Sequence, residues 1–398
     1  MTQKISAAIA RKLLLDHQRL HSRREFGRGI NATLKAIQHL SYVQLDTLSV
    51  VERAHQHTLW NRVNGFKNNH IDKLQRDGEI FEHWSHALAL LPISNYRFSI
   101  PMMQRIASGE RHWYAKNKKA SKLVLDRIRN EGPLSAKDFD DKPASKEMWI
   151  RSPSKNALEQ LFIEGELMIP YRNNFHKVYD LTERVLPSST NTAEPTTEEL
   201  CRHLASSFIS AHGFGQLKEM TYLRKGMGAA MKRTAKEMVE DGVLCEVAVN
   251  EQCYLTEPAI LDRIDKPFPR SSFRILSPFD NAIIQRKRLK ELFDFDYQIE
   301  CYVKKEKRKF GYFCLPLLHQ NKIVGRLDAK ADRKTNTLHL LHLQLDTSAG
   351  NARKTESILK AMEGELKRFI AFNRCTQIEF HRLTGIRKKP LWKNLAIR

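Results

Sequence analysis

The strongest constraint on the fold is a repeated order of predicted elements, in which helices are followed by a pair of short strands. Residues 154–181 contain a helical run of apolar residues and then a predicted hairpin, and residues 197–255 contain two helical runs and a second hairpin. This order is typical of winged helix-turn-helix units, whose second helix commonly lies in the major groove of DNA. Many α+β domains share it, so the pattern favours DNA binding without establishing it.

Chain length and a change of pattern towards the C-terminus predict several modules. The 398 residues exceed the about 100 to 200 residues of a usual domain. After a Pro- and Ser-rich joint, alternating segments predict strands over residues 297–303, 310–315, 322–330 and 338–345, before a last helix over 357–372. We predict an α+β fold of tandem winged helix-turn-helix units with a C-terminal β-rich, barrel-like domain. The predicted units are residues 1–115, which include the candidate catalytic segment, then 116–190, 191–269 and 270–398.

The net charge indicates a polyanionic partner. The chain has 67 Lys and Arg against 45 Asp and Glu, a formal net charge of +22. Such a charge leaves a positive field around the protein, and neutralising DNA phosphates releases counterions, which supplies affinity independent of base sequence. Nucleic acid is therefore the partner we expect. A generally basic, highly soluble protein with another role has the same composition.

Composition argues against a membrane-bound or secreted protein. No eighteen apolar residues run together, and Arg11 and Lys12 interrupt the one apolar start that resembles a signal peptide. The six cysteines are scattered without a CxxC pair, as expected of reduced thiols and not of disulfides, zinc or iron–sulfur sites. We expect a cytoplasmic protein, associated with the nucleoid when bound to DNA, with no cofactor, metal or membrane partner.

Common catalytic motifs are missing from the sequence. It contains no phosphate-binding glycine loop, no HExxH and no Gly-x-Ser-x-Gly. Asp280, Asp328 and Lys330 loosely imitate the carboxylates and lysine of a magnesium-dependent nuclease, although we favour ordinary surface charges as the explanation. His83 and His86 are three residues apart and could share a face as metal ligands, but we favour ordinary packing or phosphate contact.

The segment of residues 43–47 combines two polar side chains with a strand-like pattern. A period of two places Gln44 and Asp46 on one face, with Val43 and Leu45 burying the other. One amide and one carboxylate would then project together into a cleft or towards a substrate. The alternative is that Asp46 is only the N-cap of a following helix.

Residues 42–57, Tyr-Val-Gln-Leu-Asp-Thr-Leu-Ser-Val-Val-Glu-Arg-Ala-His-Gln-His, closely resemble the signature of the YcaQ/AlkZ family of winged-helix DNA glycosylases. Residues 81–87 and 178–184 resemble two further segments of that family. Several stretches between residues 276 and 334 resemble its C-terminal domain. The similarity covers nearly the whole chain, and the motifs occur in the expected order.

The resemblance implies winged-helix units around a concave, basic DNA-binding surface, and base excision of N7-alkylguanines and of interstrand crosslinks formed through them. The family's catalytic pattern of Gln, an apolar residue, then Gln or Asp falls on Gln44, Leu45 and Asp46. The Asp form resembles the general crosslink-unhooking branch. The expected partner is double-stranded DNA carrying alkylated guanine or an interstrand crosslink, bound by a monomer, because several DNA-binding units already lie in one chain.

Three residues after the catalytic segment are further candidates. Arg53, His55 and His57 follow it closely, and we consider contacts with phosphate or lesion for all three, while Arg53 could equally pair with Glu52 or Asp46. The rival to a glycosylase is a non-catalytic winged-helix transcription regulator. It would bind specific sequences, with each wrong base pair costing roughly 1 to 3 kcal/mol, whereas a repair enzyme would bind ordinary DNA with little preference.

Overall fold

The structure, a computed structural model, describes residues 2–110, 116–142, 151–265, 267, 273–346 and 352–385. The boundaries predicted between residues 115 and 116 and between 269 and 270 lie outside the described residues. Among the helices of the described segments, none combines the length and the apolar composition needed to cross a lipid bilayer.

The N-terminal part packs helices on a small antiparallel sheet. Its elements are β1 (Gln3–Ile5), α1 (Ala7–His17), α2 (Gly29–Leu40), β2 (Val43–Gln44), α3 (Ala54–Trp60), α4 (Asn69–Arg76), β3 (Ile80–Trp84), β4 (Leu88–Pro92) and α5 (Ile100–Ala107). The sheet order is β2-β4-β3, with Val43 opposite Leu90 and Gln44 opposite Ala89. Apolar side chains of α2, α3 and α4 cover it, so the short strand that carries Gln44 is anchored at the sheet edge.

The second part has the predicted helix and hairpin, and a further helix before them. Its elements are α6 (Lys118–Glu131), β5 (Leu134–Ser135), α7 (Pro153–Ile163), β6 (Leu167–Asn173), β7 (His176–Leu181) and α8 (Thr182–Val185). Asn174 and Phe175 join β6 to β7 with φ of 47° and 70°. Two consecutive positive φ values match the twist of a tight hairpin. The turn therefore holds the bulky Phe175 in a conformation that such residues seldom adopt.

The third part shares its sheet with the N-terminus. Its elements are α9 (Thr197–His212), β8 (Phe214–Gly215), α10 (Leu217–Met220), α11 (Gly228–Glu240), β9 (Cys245–Val249), β10 (Gln252–Thr256) and α12 (Pro258–Leu261). The sheet order is β1-β9-β10-β8, and β1 runs parallel to β9 with Gln3 opposite Val247. This sheet therefore joins two segments that were predicted to lie in different units.

The C-terminal part is an open sheet, so the prediction of a barrel-like domain is wrong. Its elements are β11 (Arg274–Ile275), α13 (Arg286–Phe293), β12 (Cys314–His319), β13 (Lys322–Asp332), β14 (Thr337–Leu345), α14 (Ala352–Phe372) and β15 (Gln377–Thr384). The sheet runs in the order β11-β12-β13-β14-β15 and leaves β11 and β15 as edges. No strand forms over residues 297–303, and the segment predicted at 310–315 becomes a strand only from Cys314. Apolar residues of α14 pack into the same core as the sheet.

A buried ion pair and a shared core join the candidate catalytic segment to the C-terminal part. Arg62 follows α3 and makes two hydrogen bonds with Asp280, of 2.7 and 2.8 Å, and neither side chain is exposed to solvent. Val51 and Trp60 belong to the core that the C-terminal sheet and α14 form. Segment 43–60 is therefore held between the small N-terminal sheet and the C-terminal part.

Candidate active site

Strand β2 fixes Gln44 with its backbone paired to β4. The expected burial of Val43 and Leu45 is confirmed, with 0% and 7% of each side chain exposed. Gln44 is buried as well, with 8% exposed, so the two faces of this short strand are not divided into a polar and an apolar side as the alternation predicted. The Leu45 N–H donates to the Leu88 carbonyl and extends the pairing by one residue beyond the strand.

His86 holds the side chain of Gln44. The turn between β3 and β4 carries His86, and its Nε2 lies 3.0 Å from Gln44 Oε1. Burial, and then the positive charge of Arg224, lowers the pKa of His86 to about 4. The ring is therefore neutral at neutral pH, and its Nε2–H donates to the amide oxygen, which can only accept. Among the described residues no acceptor contacts the Gln44 amide nitrogen, so both of its N–H donors remain for a ligand.

Asp46 lies just beyond β2 and is partly exposed. Its Oδ1 accepts a hydrogen bond from the Leu48 N–H at 2.8 Å. The next helix, α3, begins only at Ala54, so this is a local turn contact and not the helix N-cap considered above. Burial raises the pKa of the Asp46 carboxyl, and the Leu48 hydrogen bond opposes this. No other charged side chain of the described residues contributes, so the carboxylate has neither a cation nor a second carboxylate beside it.

A basic loop, residues 302–309, begins close to Asp46. Partial burial and the negative charge of Asp46 both raise the pKa of Cys301 and Tyr302. The Tyr302 side chain is 85% exposed. Four lysines of the loop, Lys304, Lys305, Lys307 and Lys309, are also exposed. The carboxylate of the site thus lies near an exposed aromatic ring, and a group of cations follows that ring in the chain.

Glu300 anchors the base of the basic loop. Its carboxylate accepts hydrogen bonds from the N–H groups of Lys309, Phe310 and Gly311 at 2.9 to 3.0 Å. Desolvation works against the charged carboxylate, but these three backbone donors together lower the pKa of Glu300. The loop therefore leaves the body of the protein from a fixed base, although it contains neither a strand nor an α-helix.

Arg53 and His55 pack against Phe175 of the second part. The Arg53 guanidinium lies 3.8 Å from the centroid of the Phe175 ring, and His55 stacks on the same ring at 5.8 Å with an angle of 9°. His55 is 3% exposed, and burial lowers its pKa to about 3, with the charges of Arg172 and Arg53 contributing. Packing between the first two parts explains both side chains, and their role in DNA contact stays a prediction.

His57 is a core residue. It is fully buried, and its Nε2 lies 2.8 Å from the Ile275 carbonyl. Its ring packs among Trp60, Phe369 and Phe372, and burial lowers its pKa to about 4. In this structure the side chain cannot reach a phosphate or a lesion, so the expectation of a DNA contact is corrected for His57: it links α3 to the C-terminal core.

The two carboxylates of the nuclease alternative are both engaged in hydrogen bonds within the protein. Asp280 is bound in the buried pair with Arg62. Asp328 accepts the N–H groups of Tyr312 and Phe313 at 3.1 and 3.0 Å. Lys330 is exposed. The carboxylates of Asp280 and Asp328 are bound to different partners, Arg62 and the backbone of residues 312 and 313. Both serve as structural acceptors, which burial requires of an ionised carboxylate.

The pair of histidines considered as metal ligands is split. His83 points into the core, 1% exposed, with Nε2 3.3 Å from the Ile163 carbonyl, whereas His86 turns towards Gln44. The six cysteines are all free thiols.

The sequence did not predict the roles of several residues of this site. His86 is 42 positions from Gln44, and no local pattern connects the two residues. Tyr302 and Glu300 have no motif of their own. The run of basic residues after Tyr302 is a charge signal in the sequence, but only folding brings Tyr302, where the run starts, near Asp46.

Comparisons with known proteins identify the family. The family of AlkZ-like DNA glycosylases matches residues 37–372 of the chain. The fold is similar to that of the DNA glycosylase AlkZ from Streptomyces sahachiroi, with a TM-score of 0.64 and 14% sequence identity, over 96% of this chain and 100% of that one. Because the family match spans most of the chain and includes residues 42–57 with Gln44 and Asp46, the protein belongs to the AlkZ-like family and is a DNA glycosylase.

Proposed function

We propose that this glycosylase hydrolyses the N-glycosidic bond of cationic N7-alkylguanines and unhooks interstrand crosslinks formed through N7, with Asp46 and Gln44 as its catalytic residues. The observation that carries the proposal is the isolation of Asp46. Its pKa is governed by burial and one backbone hydrogen bond, and among the described residues no second carboxyl group contributes to it. A site with a single carboxylate suits a substrate whose leaving group needs no protonation.

The chemistry follows from the charge of the lesion. Cleavage passes through an oxocarbenium-like sugar, which a nearby carboxylate stabilises and which water then attacks. Glycoside hydrolysis usually needs a second carboxyl group as an acid. An N7-alkylguanine already carries a positive charge and leaves as a neutral base. Asp46 is then sufficient as the stabilising charge and as the base that accepts the proton of the attacking water.

Gln44 would position that water or the sugar. The hydrogen bond from His86 occupies the amide oxygen, so the N–H donors of Gln44 are the groups that would meet the substrate. A neutral His86 is not a proton donor to the leaving base, consistent with a reaction that needs none. The role of His86 is therefore to fix the amide, which favours reaction by orientation.

DNA would be held by the basic loop and by the helix-and-hairpin parts, which we propose to be winged-helix units. Lysines 304, 305, 307 and 309 would contact phosphates, and Tyr302 would stack on a base or fill the gap beside the lesion. A crosslinked guanine is tethered to the opposite strand and cannot swing out freely, so an exposed aromatic beside a partly exposed carboxylate suits this substrate. We propose that a monomer performs this repair in the cytoplasm, on the nucleoid.

The test is excision from duplex DNA carrying one N7-methylguanine, with and without EDTA, followed by mild alkali and a denaturing gel. We expect cleavage that depends on alkali, resists EDTA and is lost in Asp46→Asn. A second duplex with a nitrogen-mustard crosslink tests unhooking. A third, carrying a neutral lesion such as uracil, should remain intact because its base leaves as an anion.

Asp332→Asn is the matched control. Asp332 also accepts the N–H of the residue two positions later, Lys334, but lies at the end of β13. The Asp332→Asn substitution should leave excision unchanged. Full activity of Asp46→Asn would refute the assignment of Asp46, and cleavage of neutral lesions at a comparable rate would refute the restriction to cationic substrates.

A further inference from the structure

Three side chains converge on the exposed face of the C-terminal sheet. His339 on β14 lies opposite Glu379 on β15 in the parallel register, and His381 is two residues further along β15, on the same face. Leu338, Leu340 and Phe380 belong to the core on the other side of the sheet. The pleat therefore directs the apolar residues towards α14 and leaves two imidazoles and one carboxylate together outside.

The distances within this cluster match those between the ligands of a metal ion. His339 Nδ1 lies 3.2 Å from His381 Nε2 and 3.1 Å from Glu379 Oε2, and His381 Nε2 lies 3.7 Å from Glu379 Oε1. Zinc binds nitrogen and carboxylate oxygen at 2.0 to 2.2 Å, and a tetrahedral angle then separates neighbouring ligand atoms by about 3.3 Å. In the described residues, this is the one group of three or more His, Cys, Asp or Glu side chains whose ligand atoms lie within 4.8 Å of one another.

Hydrogen bonding alone accounts less well for the arrangement. His339 Nδ1 faces two partners at once, a second ring nitrogen and a carboxylate oxygen. A neutral imidazole offers one N–H and one lone pair, so a proton on Nδ1 would have to be shared between both partners. A cation at the centre would receive one lone pair from each of the three groups.

We propose that His339, Glu379 and His381 bind a divalent transition metal ion, with Zn²⁺ as the representative ion and a fourth position open to water. Two histidines and a carboxylate are a typical ligand set for zinc. Two of the ligands lie on β15 and one on β14, so the ion would fasten an edge strand to the sheet. Edge strands lack a second neighbour, and a shared ion compensates for this by adding binding free energy to folding.

This role is separate from excision. The cluster contacts neither Gln44 nor Asp46 within the described part of the chain, so chelation should lower thermal stability without abolishing cleavage below the melting temperature. The result of this test is therefore independent of the proposed function.

The experiment uses the full-length protein, free of any affinity tag and treated with a chelator. Zn²⁺ is titrated in competition with a chromophoric chelator, and Co²⁺ is added separately to record ligand-field absorption. We expect one Zn²⁺ per chain, Co²⁺ bands of the intensity typical of four or five ligands, and a higher melting temperature with Zn²⁺. In His381→Ala the affinity should fall at least about tenfold, and the bands and the thermal shift should disappear.

Glu379→Gln gives a second test should His381→Ala fold poorly, as judged by circular dichroism. His176→Ala is the matched control, because His176 is an exposed strand histidine at the start of β7; it should bind Zn²⁺ like the unmodified protein. Absence of stoichiometric Zn²⁺ binding, or binding that persists unchanged in both cluster variants, would overturn the proposal.

Discussion

His86 donates a hydrogen bond from Nε2–H to Gln44 Oε1 at 3.0 Å, across 42 positions of sequence. The turn between β3 and β4 brings the ring to the edge strand, and burial keeps it neutral with a pKa of about 4. The contact leaves Gln44 with a defined amide orientation. It therefore links the packing of the small N-terminal sheet to the proposed chemistry.

Replacing His86 tests this positioning role. His86→Ala should reduce kcat by about 10- to 100-fold with little change in KM, because misplacing a catalytic group lowers the rate while DNA contacts remain. His86→Gln keeps an N–H donor at a similar reach and should restore most of the activity. Both variants are tested by single-turnover excision of N7-methylguanine over a range of enzyme concentrations, which separates the rate of the chemical step from the strength of DNA binding. Equal losses in the two variants would show that the ring acts by packing and not through its hydrogen bond.

Asp46→Asn should separate activity from stability. Excision should fall about 10²- to 10⁴-fold with loss of the base. The raised pKa of Asp46 means that the folded state favours the protonated carboxyl. Its stabilisation is present below the ordinary pKa and lost as the pH rises through the raised one. At neutral pH the ionised carboxylate therefore destabilises the fold, and neutral Asn should give an equal or higher melting temperature. A clear decrease in calorimetry would contradict this account.

The pH dependence of excision should reflect the same group. The acidic limb of the single-turnover rate should lie above the ordinary Asp pKa of 3.8, because burial raises the pKa of Asp46. The proposed substrate carries its charge without protonation, so the rate should stay level on the alkaline side of neutrality. The limb should persist in His86→Gln. A rate that falls between pH 7 and 8.5 would indicate a required acid that this site does not contain.

The pair of Arg62 and Asp280 should matter for folding and not for metal-dependent chemistry. Both side chains are fully buried and joined by two hydrogen bonds. Removing one partner leaves an uncompensated buried charge, so Asp280→Ala should lower the free energy of unfolding by about 3 to 5 kcal/mol in urea titrations. Glu110→Ala breaks the exposed pair with Arg105 and should cost less than about 1 kcal/mol. Equal stability of the two variants would refute the structural role of Asp280.

The basic loop should govern affinity for undamaged DNA. In Lys305→Ala/Lys307→Ala, log Kd should depend less steeply on log salt, by about 0.9 per lost phosphate contact. Lys290→Ala, whose ammonium already pairs with Asp294, is the control and should leave the slope unchanged. Binding is measured by fluorescence anisotropy over a range of salt. An unchanged slope in the double variant would exclude the loop from the DNA interface.

Tyr302 should affect the lesion more than binding to plain duplex. Tyr302→Ala removes an 85% exposed ring near Asp46, and loss of a stacking contact typically costs about 1 to 3 kcal/mol. We expect a corresponding loss in kcat/KM for excision, with Tyr302→Phe close to the unmodified enzyme. Equal excision by Tyr302→Ala and the unmodified enzyme would show that the ring does not engage the damaged site.

The burial pattern of single strands and the order of helices and hairpins were predictable, because both depend on residues that are close together in the sequence. Alternation of residues indicated the buried Val43 and Leu45, and helical periods followed by hairpins predicted the order of elements in the second and third parts. Two C-terminal strands, β13 and β14, were predicted as well, but not the assembly of the C-terminal sheet. Alternation is the same in an open sheet and in a barrel, and closure depends on strand number and stagger, which pattern does not reveal.

What the sequence alone determined was the family-like segment with Gln44 and Asp46, the basic charge and most of the helices and hairpins. Only the tertiary structure placed His86 on Gln44, brought Tyr302 towards Asp46, paired β1 with β9 and buried His57. The physical reason is the distance along the chain over which each effect acts. Periodicity and turn chemistry act over a few neighbouring residues, whereas the surroundings of a side chain depend on the core packing of segments far apart in the chain.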